Sequence, residues 1–222
     1  MDITKHLEFF NPISIEDSIH IIGVGAIGSN LAEMLGRLGL SNIHLYDFDV
    51  VSKHNVANQN YFDDQIDKPK VDCIADTLRR INPDIVIKTH PKGWSAGMRL
   101  SGYVFLAVDD IEIRKAIVND NKYNTNIKAM FDFRMGLEDA QHYACDWSKQ
   151  ENIANFYGSM DFTHEEAKEA TPVSACGTTL AVISTIRTIV SAGVSNFINL
   201  VKGKKLKTVI IANAFSFNYM CF

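Results

Sequence analysis

The chain has 222 residues, of which 46% are hydrophobic and 22% are charged, which is enough to form a packed globular domain. Its formal net charge of −4 and isoelectric point near 6.0 give no overall attraction to polyanions, so we expect no nucleic acid and no membrane partner. The four cysteines show no Cys-x-x-Cys spacing, so we expect reduced thiols, no structural zinc and a cytoplasmic protein.

Strands and helices alternate in the first 135 residues of the sequence. SIHIIGVG predicts a strand, and AIGSNLAEMLGRLGL predicts a helix because its apolar residues recur at helical spacing. SNIHLYDF and DIVIKTH predict two further strands, separated by a helix in PKVDCIADTLRRI. YVFLAVDD, EIRKAIVNDNKY and IKAMFDFR then predict strand, helix and strand. This alternation predicts an α/β, Rossmann-like, doubly wound and mostly parallel sheet.

The pattern changes after about Gly136. AQHYACDW alternates like an antiparallel strand, whereas residues 148–171 are polar and poorly periodic, which predicts a long loop. A long helix is predicted from about Ala175. Polar residues on nearly every turn between Leu180 and Val201 favour a helix buried inside the protein or at a subunit contact over a membrane span. The ending KTVIIANAFSFNYMCF indicates antiparallel strands at a sheet edge or a subunit contact. We expect one domain over residues 1–222.

The segment GVGAIG places Gly23, Gly25 and Gly28 in Gly-x-Gly-x-x-Gly spacing, between a predicted strand and a predicted helix. Glycine allows a tight turn and a close approach to phosphate, and the helix amino end favours negative charge. We therefore expect the turn, including Ala26 and Ile27, to bind a nucleotide. The motif alone fits a nicotinamide or flavin dinucleotide, ATP, or a purely structural turn.

Asp47 and Asp49 stand at the end of the second predicted strand, some two dozen residues beyond the first glycine. A carboxylate at this place can accept hydrogen bonds from ribose hydroxyls. The alternative is that these aspartates cap the loop that follows.

Five segments in chain order resemble the ThiF/MoeB/HesA family of ubiquitin-activating-enzyme-like adenylyltransferases: GVGAIG, DFD, NVANQ, KPKVDCIADTLRRINP and LAVDD. The resemblance extends from about Ser18 to Gly203. It implies an enzyme that uses ATP and Mg²⁺ to activate the C-terminal carboxylate of a ubiquitin-like or sulfur-carrier protein, or of a peptide, as an acyl-adenylate. It also implies a homodimer.

The resemblance assigns roles to individual residues. Asp47 would hold the ribose, Asn55 and Lys70 would contact the phosphates, and Gln59 would support the loop. Asp109 would be the Mg²⁺ ligand. The alternatives are a solvated lysine at position 70 and a helix cap at position 109, although Asp110 is better placed as the cap.

Two departures from the family pattern concern arginine. Asn58 stands where the family's Asn-x-x-Arg-Gln stretch has arginine, so it would face the nucleotide without that charge. Many relatives also supply an arginine across the dimer from before the glycine turn, but here no arginine precedes Arg37 and Lys5 is the only lysine there. Arg134 and Arg114 are candidate replacements, with a structural salt bridge as the alternative for Arg134. Otherwise the enzyme is weakened or inactive.

Cys176 lies near the predicted start of the late helix, where relatives carry a cysteine that receives the carrier. A helix amino end would make this thiol nucleophilic. The family's cysteine position itself aligns with Pro172, which favours a buried structural role for Cys176. Two further functions stay open: a pseudoenzyme that binds nucleotide, and an NAD-dependent oxidoreductase, for which we find no convincing hydride-transfer residues.

Overall fold

A computed structural model describes residues 1–169, 172–174 and 179–222. Within them, one sheet holds eight strands: β1 (Ile19–Ile22), β2 (Ile43–Tyr46), β3 (Ile87–His90), β4 (Gly102–Leu106), β5 (Ile127–Met135), β6 (Asp139–Asp146), β7 (Val209–Asn213) and β8 (Asn218–Cys221). The strand order is β3-β2-β1-β4-β5-β6-β7-β8. The pairs from β3 to β5 are parallel and those from β5 to β8 are antiparallel. The predicted fold class is confirmed.

The described helices are α1 (Thr4–Leu7), α2 (Ala26–Arg37), α3 (Lys70–Ile81), α4 (Ile111–Asn121), α5 (Gln150–Gly158), α6 (His164–Glu169) and α7 (Ile183–Val201). Short 3₁₀ turns occupy Pro12–Ser14, Lys53–Ala57 and Asp63–Gln65. One buried cluster joins α2, α3 and α7 to one face of the sheet, and a second joins α4 and α5 to the other. Helices thus cover both faces, as a parallel sheet requires.

The chain order reverses between β1 and β4. The sheet grows from β1 towards β2 and β3 on one side, and from β4 towards β5 on the other. In open α/β sheets, ligands bind beyond the carboxyl ends of the strands at such a switch point. The glycine turn follows β1 and Asp109 follows β4, so both lie at this place in the fold.

The predicted loop over residues 148–171 was wrong for the part that the structure describes. It contains α5 and α6, and residues 170–171 lie outside the described part. Ile153, Phe156 and Met160 are all buried, and they recur at the spacing of one helix face. Frequent polar residues on the exposed face of α5 obscured this narrow apolar stripe in the sequence.

The late helix begins at Ile183, later than the predicted Ala175. Val173 and Thr179 form an isolated antiparallel bridge ahead of α7. Thr185, Ile186 and Phe197 are fully buried, so one face of α7 packs in the interior. Arg187 and Ser191 on its other face are exposed, and a subunit contact there stays a prediction. In the described part of the chain, no helix is long and apolar enough to cross a membrane.

The carboxyl-terminal strand β8 forms one edge of the sheet, as expected for the strand-like ending. Its residues Asn218–Cys221 are exposed, and a subunit contact at this edge stays a prediction. Cys73 and Cys145 are buried free thiols and Cys221 is an exposed one. Cys176 lies outside the described residues.

Three histidines form a cluster across β1, β2 and β3. The rings of His20 and His44 are 4.5 Å apart between centroids, those of His44 and His90 are 5.6 Å apart, and His90 stacks on Tyr46 at 4.1 Å. His20 Nδ1 lies 2.9 Å from the Tyr46 hydroxyl. Burial, together with repulsion from the neighbouring histidines and Lys88, lowers the pKa of His20 to about 3 and that of His44 to about 4. Burial and repulsion from Lys88 lower the pKa of His90.

Acid should therefore destabilise the fold as these histidines take up protons. These histidines bind fewer protons in the folded chain than in the unfolded chain, so their full stabilisation is present above pH 6.5 and is lost as the pH falls towards 3. Buried His20 alone would cost about 1.4 kcal/mol per pH unit in this window. Urea denaturation at pH 7.5, 6 and 5 measures the slope.

His20→Phe should flatten this dependence, while substitution of the exposed His54 by Gln should leave it unchanged. Equal free energies of unfolding at pH 7.5 and pH 5 in the unmodified chain would contradict the prediction.

Candidate nucleotide site

The glycine turn packs tightly against the end of β4. Gly23 has φ +87°, and a Cβ there would lie 2.8 Å from backbone atoms of Ala107. A Cβ on Gly28 would lie 1.9 Å from the Gly23 carbonyl oxygen, so the helix can approach the turn only without a side chain. A Cβ on Gly25 would have no atom within 4 Å. The turn is therefore closed towards the protein and open at Gly25, which leaves space beside the amino end of α2.

Asp47 and Tyr61 hold the turn in place. The Val24 amide donates to Asp47 Oδ2 at 2.8 Å, the Asp49 amide donates to Asp47 Oδ1 at 2.9 Å, and the Tyr61 hydroxyl donates to the Val24 carbonyl at 2.5 Å. Burial raises the pKa of Asp47, although both amides and Lys70 oppose this effect. Each carboxylate oxygen keeps a further lone pair, so Asp47 can still accept from a ribose. Tyr61 was not among the site residues predicted from the sequence.

Lys70 is the first residue of α3 and is only 7% exposed, so the alternative of a solvated lysine was wrong. Its Nζ donates to Asp49 Oδ2 at 2.8 Å. A cation is unfavourable at a helix amino end, and the Asp49 carboxylate offsets that effect. Asp49 itself remains half exposed, so the pair borders the open side of the site.

The loop after β2 uses its amides to keep its own shape. Asn55 Oδ1 accepts from both the amide and the hydroxyl of Ser52 at 2.9 Å, and Asn55 is buried. Asn58 Nδ2 donates to the Ala181 carbonyl at 3.1 Å, ahead of α7. Gln59 Oε1 is buried without a hydrogen-bond partner in the described residues. The bond from Asn58 therefore connects the loop to the residues that precede α7.

The two acids after β4 have different roles. Asp110 Oδ1 accepts from the amides of Glu112 and Ile113 at 2.8 and 3.3 Å, so Asp110 is the cap of α4. The helix-cap alternative for Asp109 is therefore wrong. Asp109 is exposed, and its carboxylate has no hydrogen-bond partner among residues 1–169, 172–174 and 179–222.

Arg114 and Arg134 are bound to a buried carboxylate. Asp132 is fully buried and accepts from Arg114 Nη1 and, at 2.6 Å, from Arg134 Nε. Arg114 also donates to the backbone carbonyls of Val108 and Phe133. These bonds occupy both guanidinium groups at the end of β5. They support the structural alternative for Arg134, and its catalytic role stays a prediction.

Arg134 also donates to the carbonyl and hydroxyl oxygens of Ser159, at 2.7 and 3.0 Å. Its guanidinium lies 4.2 Å from the centre of the Tyr143 ring. These contacts hold Arg134 between the end of β5 and the carboxyl end of α5, beside the end of β4.

Lys5 lies at the opposite end of α2 from the glycine turn within its own chain. The His6 ring contacts the Leu38 carbonyl at 3.1 Å, and Ile3 and Pro12 lie beside Gly39. The twelve residues of α2 span roughly 18 Å. Lys5 therefore reaches a glycine turn only across a subunit contact, which is untested.

Comparison with known protein families identifies the family of this chain. The profile of the ThiF family matches residues 15–220. The chain belongs to the ThiF family. Ubiquitin-like modifier-activating enzyme 5 of Caenorhabditis elegans is 30% identical over 135 residues, which is 61% of this chain and 30% of that protein. The Arabidopsis thaliana protein of the same name is 40% identical over 74 residues, or 33% of this chain and 17% of that protein.

Solved structures agree with this ThiF-family fold. MccB of Escherichia coli, solved with ATP, has a TM-score of 0.67 and 15% identity, covering 94% of this chain and 64% of MccB. MccB solved with MccA has a TM-score of 0.70 and 14% identity, covering 94% and 63%. Such low identities establish the shared fold alone. The chain spans less than two thirds of these proteins and under a third of the two curated relatives described above.

Gly28→Ala should destabilise this ThiF-family fold by about 2 kcal/mol or more, because its Cβ would overlap the Gly23 carbonyl. Gly25→Ala is the matched control and should unfold like the original chain, because its Cβ meets open space. Denaturant unfolding of the three proteins measures the difference. Equal stabilities of the two variants would show that the helix does not approach the turn this closely.

Asp132→Asn should cost about 3 kcal/mol or more of the free energy of unfolding, because it leaves two arginines without their buried anion. Asp17→Asn, which breaks an exposed pair with Lys128, should cost less than about 1 kcal/mol. Urea denaturation compares the two variants. Similar losses in both would contradict a structural role for the cluster.

Proposed function

We propose that this chain is an ATP-dependent adenylyltransferase that activates the C-terminal carboxylate of a small protein or peptide. The observation that carries the proposal is the combination of an open glycine turn, Asp47 beside it, and Asp109 at the same switch point, whose carboxylate has no partner in the described part of the chain. Family membership and the fold shared with MccB, a protein solved with ATP, support it.

The reaction requires two anions to meet. A carboxylate oxygen forms a bond to the α-phosphorus of ATP as the bond from that phosphorus to the bridging oxygen breaks, and pyrophosphate leaves. No proton changes place in this step. Catalysis therefore comes from positioning and from groups that stabilise charge on the phosphate oxygens. The amides of the turn and the amino end of α2 are suited to this task.

The remaining site residues would bind and orient the nucleotide. Asp47 would accept from the ribose, with Asp49 keeping Lys70 in place at the start of α3. Lys70 and the Asn55 amide would contact the phosphates, and Gln59 with its unpaired buried oxygen would support the loop or accept from the ligand.

Asp109 fits a magnesium ligand, because Mg²⁺ needs only one or two protein carboxylates when substrate phosphates and water complete its shell. No group of three or more acidic, histidine or cysteine side chains suited to a metal occurs in the described part of the chain, consistent with a site completed by the nucleotide. When bound, Mg²⁺ would neutralise phosphate charge.

The acceptor of the adenylate would be a ubiquitin-like protein, a sulfur carrier or a peptide. The names of the curated relatives describe enzymes that activate ubiquitin-like modifiers, and MccB is solved with MccA. We further propose a cytoplasmic homodimer. Purification with a small protein that ends in glycine would identify the acceptor.

Two alternatives make different predictions. A pseudoenzyme, consistent with Asn58 in place of arginine, would bind ATP without exchanging pyrophosphate. An NAD-dependent oxidoreductase would bind NAD more tightly than ATP and Mg²⁺. Binding titrations with both nucleotides, followed by radiolabelled ATP/pyrophosphate exchange with candidate carriers, distinguish these three functions.

Asp109→Ala should reduce ATP/pyrophosphate exchange at least about 100-fold without changing the unfolding temperature, because it removes the metal ligand and no core packing. Asp110→Ala is the neighbouring control. It should lose about 1 kcal/mol of stability with the helix cap yet retain exchange. Full exchange in Asp109→Ala would exclude the metal assignment.

A further inference from the structure

The candidate site carries more negative than positive charge. Asp47, Asp49 and Asp109 border the switch point, and the Lys70 ammonium is already bound to Asp49. A triphosphate adds several further negative charges. Its pyrophosphate leaves readily only if cations stabilise the charge that develops on it. Arg114 and Arg134 are both bound to buried Asp132. An arginine without a carboxylate partner would therefore add to the charge that Mg²⁺, Lys70 and the amides of the turn would supply.

Asn58 connects the site to an arginine distant in the sequence. Its side chain binds the Ala181 carbonyl, and its own carbonyl accepts from Asn30 Nδ2 at 3.3 Å. Asn30 Oδ1 in turn accepts from Arg187 Nε, also at 3.3 Å. Arg187 lies in α7, which packs against α2. One buried amide thus joins position 58 to the Arg187 guanidinium.

Asn30 also indicates where this guanidinium lies relative to the glycine turn. Asn30 Nδ2 donates to the carbonyl of Ala26, the first residue of α2, at 2.8 Å. Arg187 is therefore one amide group away from the helix end that borders the open side of the turn. Its two Nη atoms make no hydrogen bond within the described ranges, and the residue is exposed.

Arg187 also borders open space in which a ligand can reach it. A groove of about 490 Å³ begins at Arg187 and runs along α7 past Ser191 and Ser195 to Tyr219. No acidic side chain lines this groove in the described chain. Among the described residues Arg187 has no anionic partner and its Nη donors are unused, and such a guanidinium is suited to bind phosphate.

We propose that Arg187 contacts the phosphates of the bound nucleotide and supplies the charge that Asn58 does not provide. This inference rests on the proposed function, since it concerns the same nucleotide. Asn30 would be the residue that orients the guanidinium. A site with asparagine at position 58 would thereby have a cation with which to bind a polyanion.

The test is the affinity for ATP with Mg²⁺ and, separately, for adenosine. Arg187→Gln should weaken ATP binding about tenfold and leave adenosine binding unchanged, because adenosine carries no phosphate. Arg187→Lys should retain most of the ATP affinity because it keeps the charge. Arg37→Gln is the control, since that arginine pairs with Glu33 on the surface of α2. All variants should unfold like the original chain.

Moving the charge tests whether positions 58 and 187 serve the same purpose. Asn58→Arg in the Arg187→Gln background should recover ATP affinity, because both positions adjoin Asn30. No recovery, in a double variant that unfolds like the original chain, would contradict the proposal.

Other results would overturn the inference directly. Unchanged ATP affinity in Arg187→Gln, an equal loss for adenosine, or a loss in Arg187→Lys as large as in Arg187→Gln would each exclude a phosphate contact. If the unmodified chain fails to bind ATP at all, the proposed function fails instead, so the two failures are distinguishable.

Discussion

The packing of the glycine turn against α2, the end of β4 and Asp47 determines the geometry of the candidate site. Gly28 brings α2 against the Gly23 carbonyl, and Asp47 fixes the turn to the end of β2 through the Val24 amide. These contacts bring together the amino end of α2, the aspartates after β2 and Asp109 after β4. Because the strand order reverses here, groups from different parts of the chain lie at the same end of the sheet.

The surroundings of each polar group distinguish structural from ligand-binding roles. Asp132, Arg114 and Arg134 satisfy one another in the interior and fix the end of β5. Asp110 is used as a helix cap, whereas its neighbour Asp109 is exposed and unpaired in the described structure. A side chain that already has all its partners gains little from a ligand, while an exposed one only exchanges water for the ligand. The exposed groups on the open side of the site are therefore the ones available to a ligand.

Local patterns predicted the fold well, and distant contacts were not predictable. The strands, the glycine turn and the cap at Asp110 follow from periodicity and from residue types whose reasons are local. Helix α5 was missed because Ile153 and Phe156 are the buried residues that this helix contributes in the described structure. The link from Asn30 to Arg187 spans 157 positions of sequence, and no spacing rule connects them. The Lys70–Asp49 pair likewise appears only once α3 is packed beside β2.

The central claim is that the crevice beside the glycine turn binds ATP in order to attach AMP to a carboxylate. A crystal structure with a non-hydrolysable ATP analogue and Mg²⁺ tests it most directly. Our account predicts the ribose at Asp47, phosphates beside Gly25 and the amino end of α2, and the metal at Asp109. Phosphates bound elsewhere, or a nicotinamide dinucleotide bound in preference with its ring over Asp109, would contradict it.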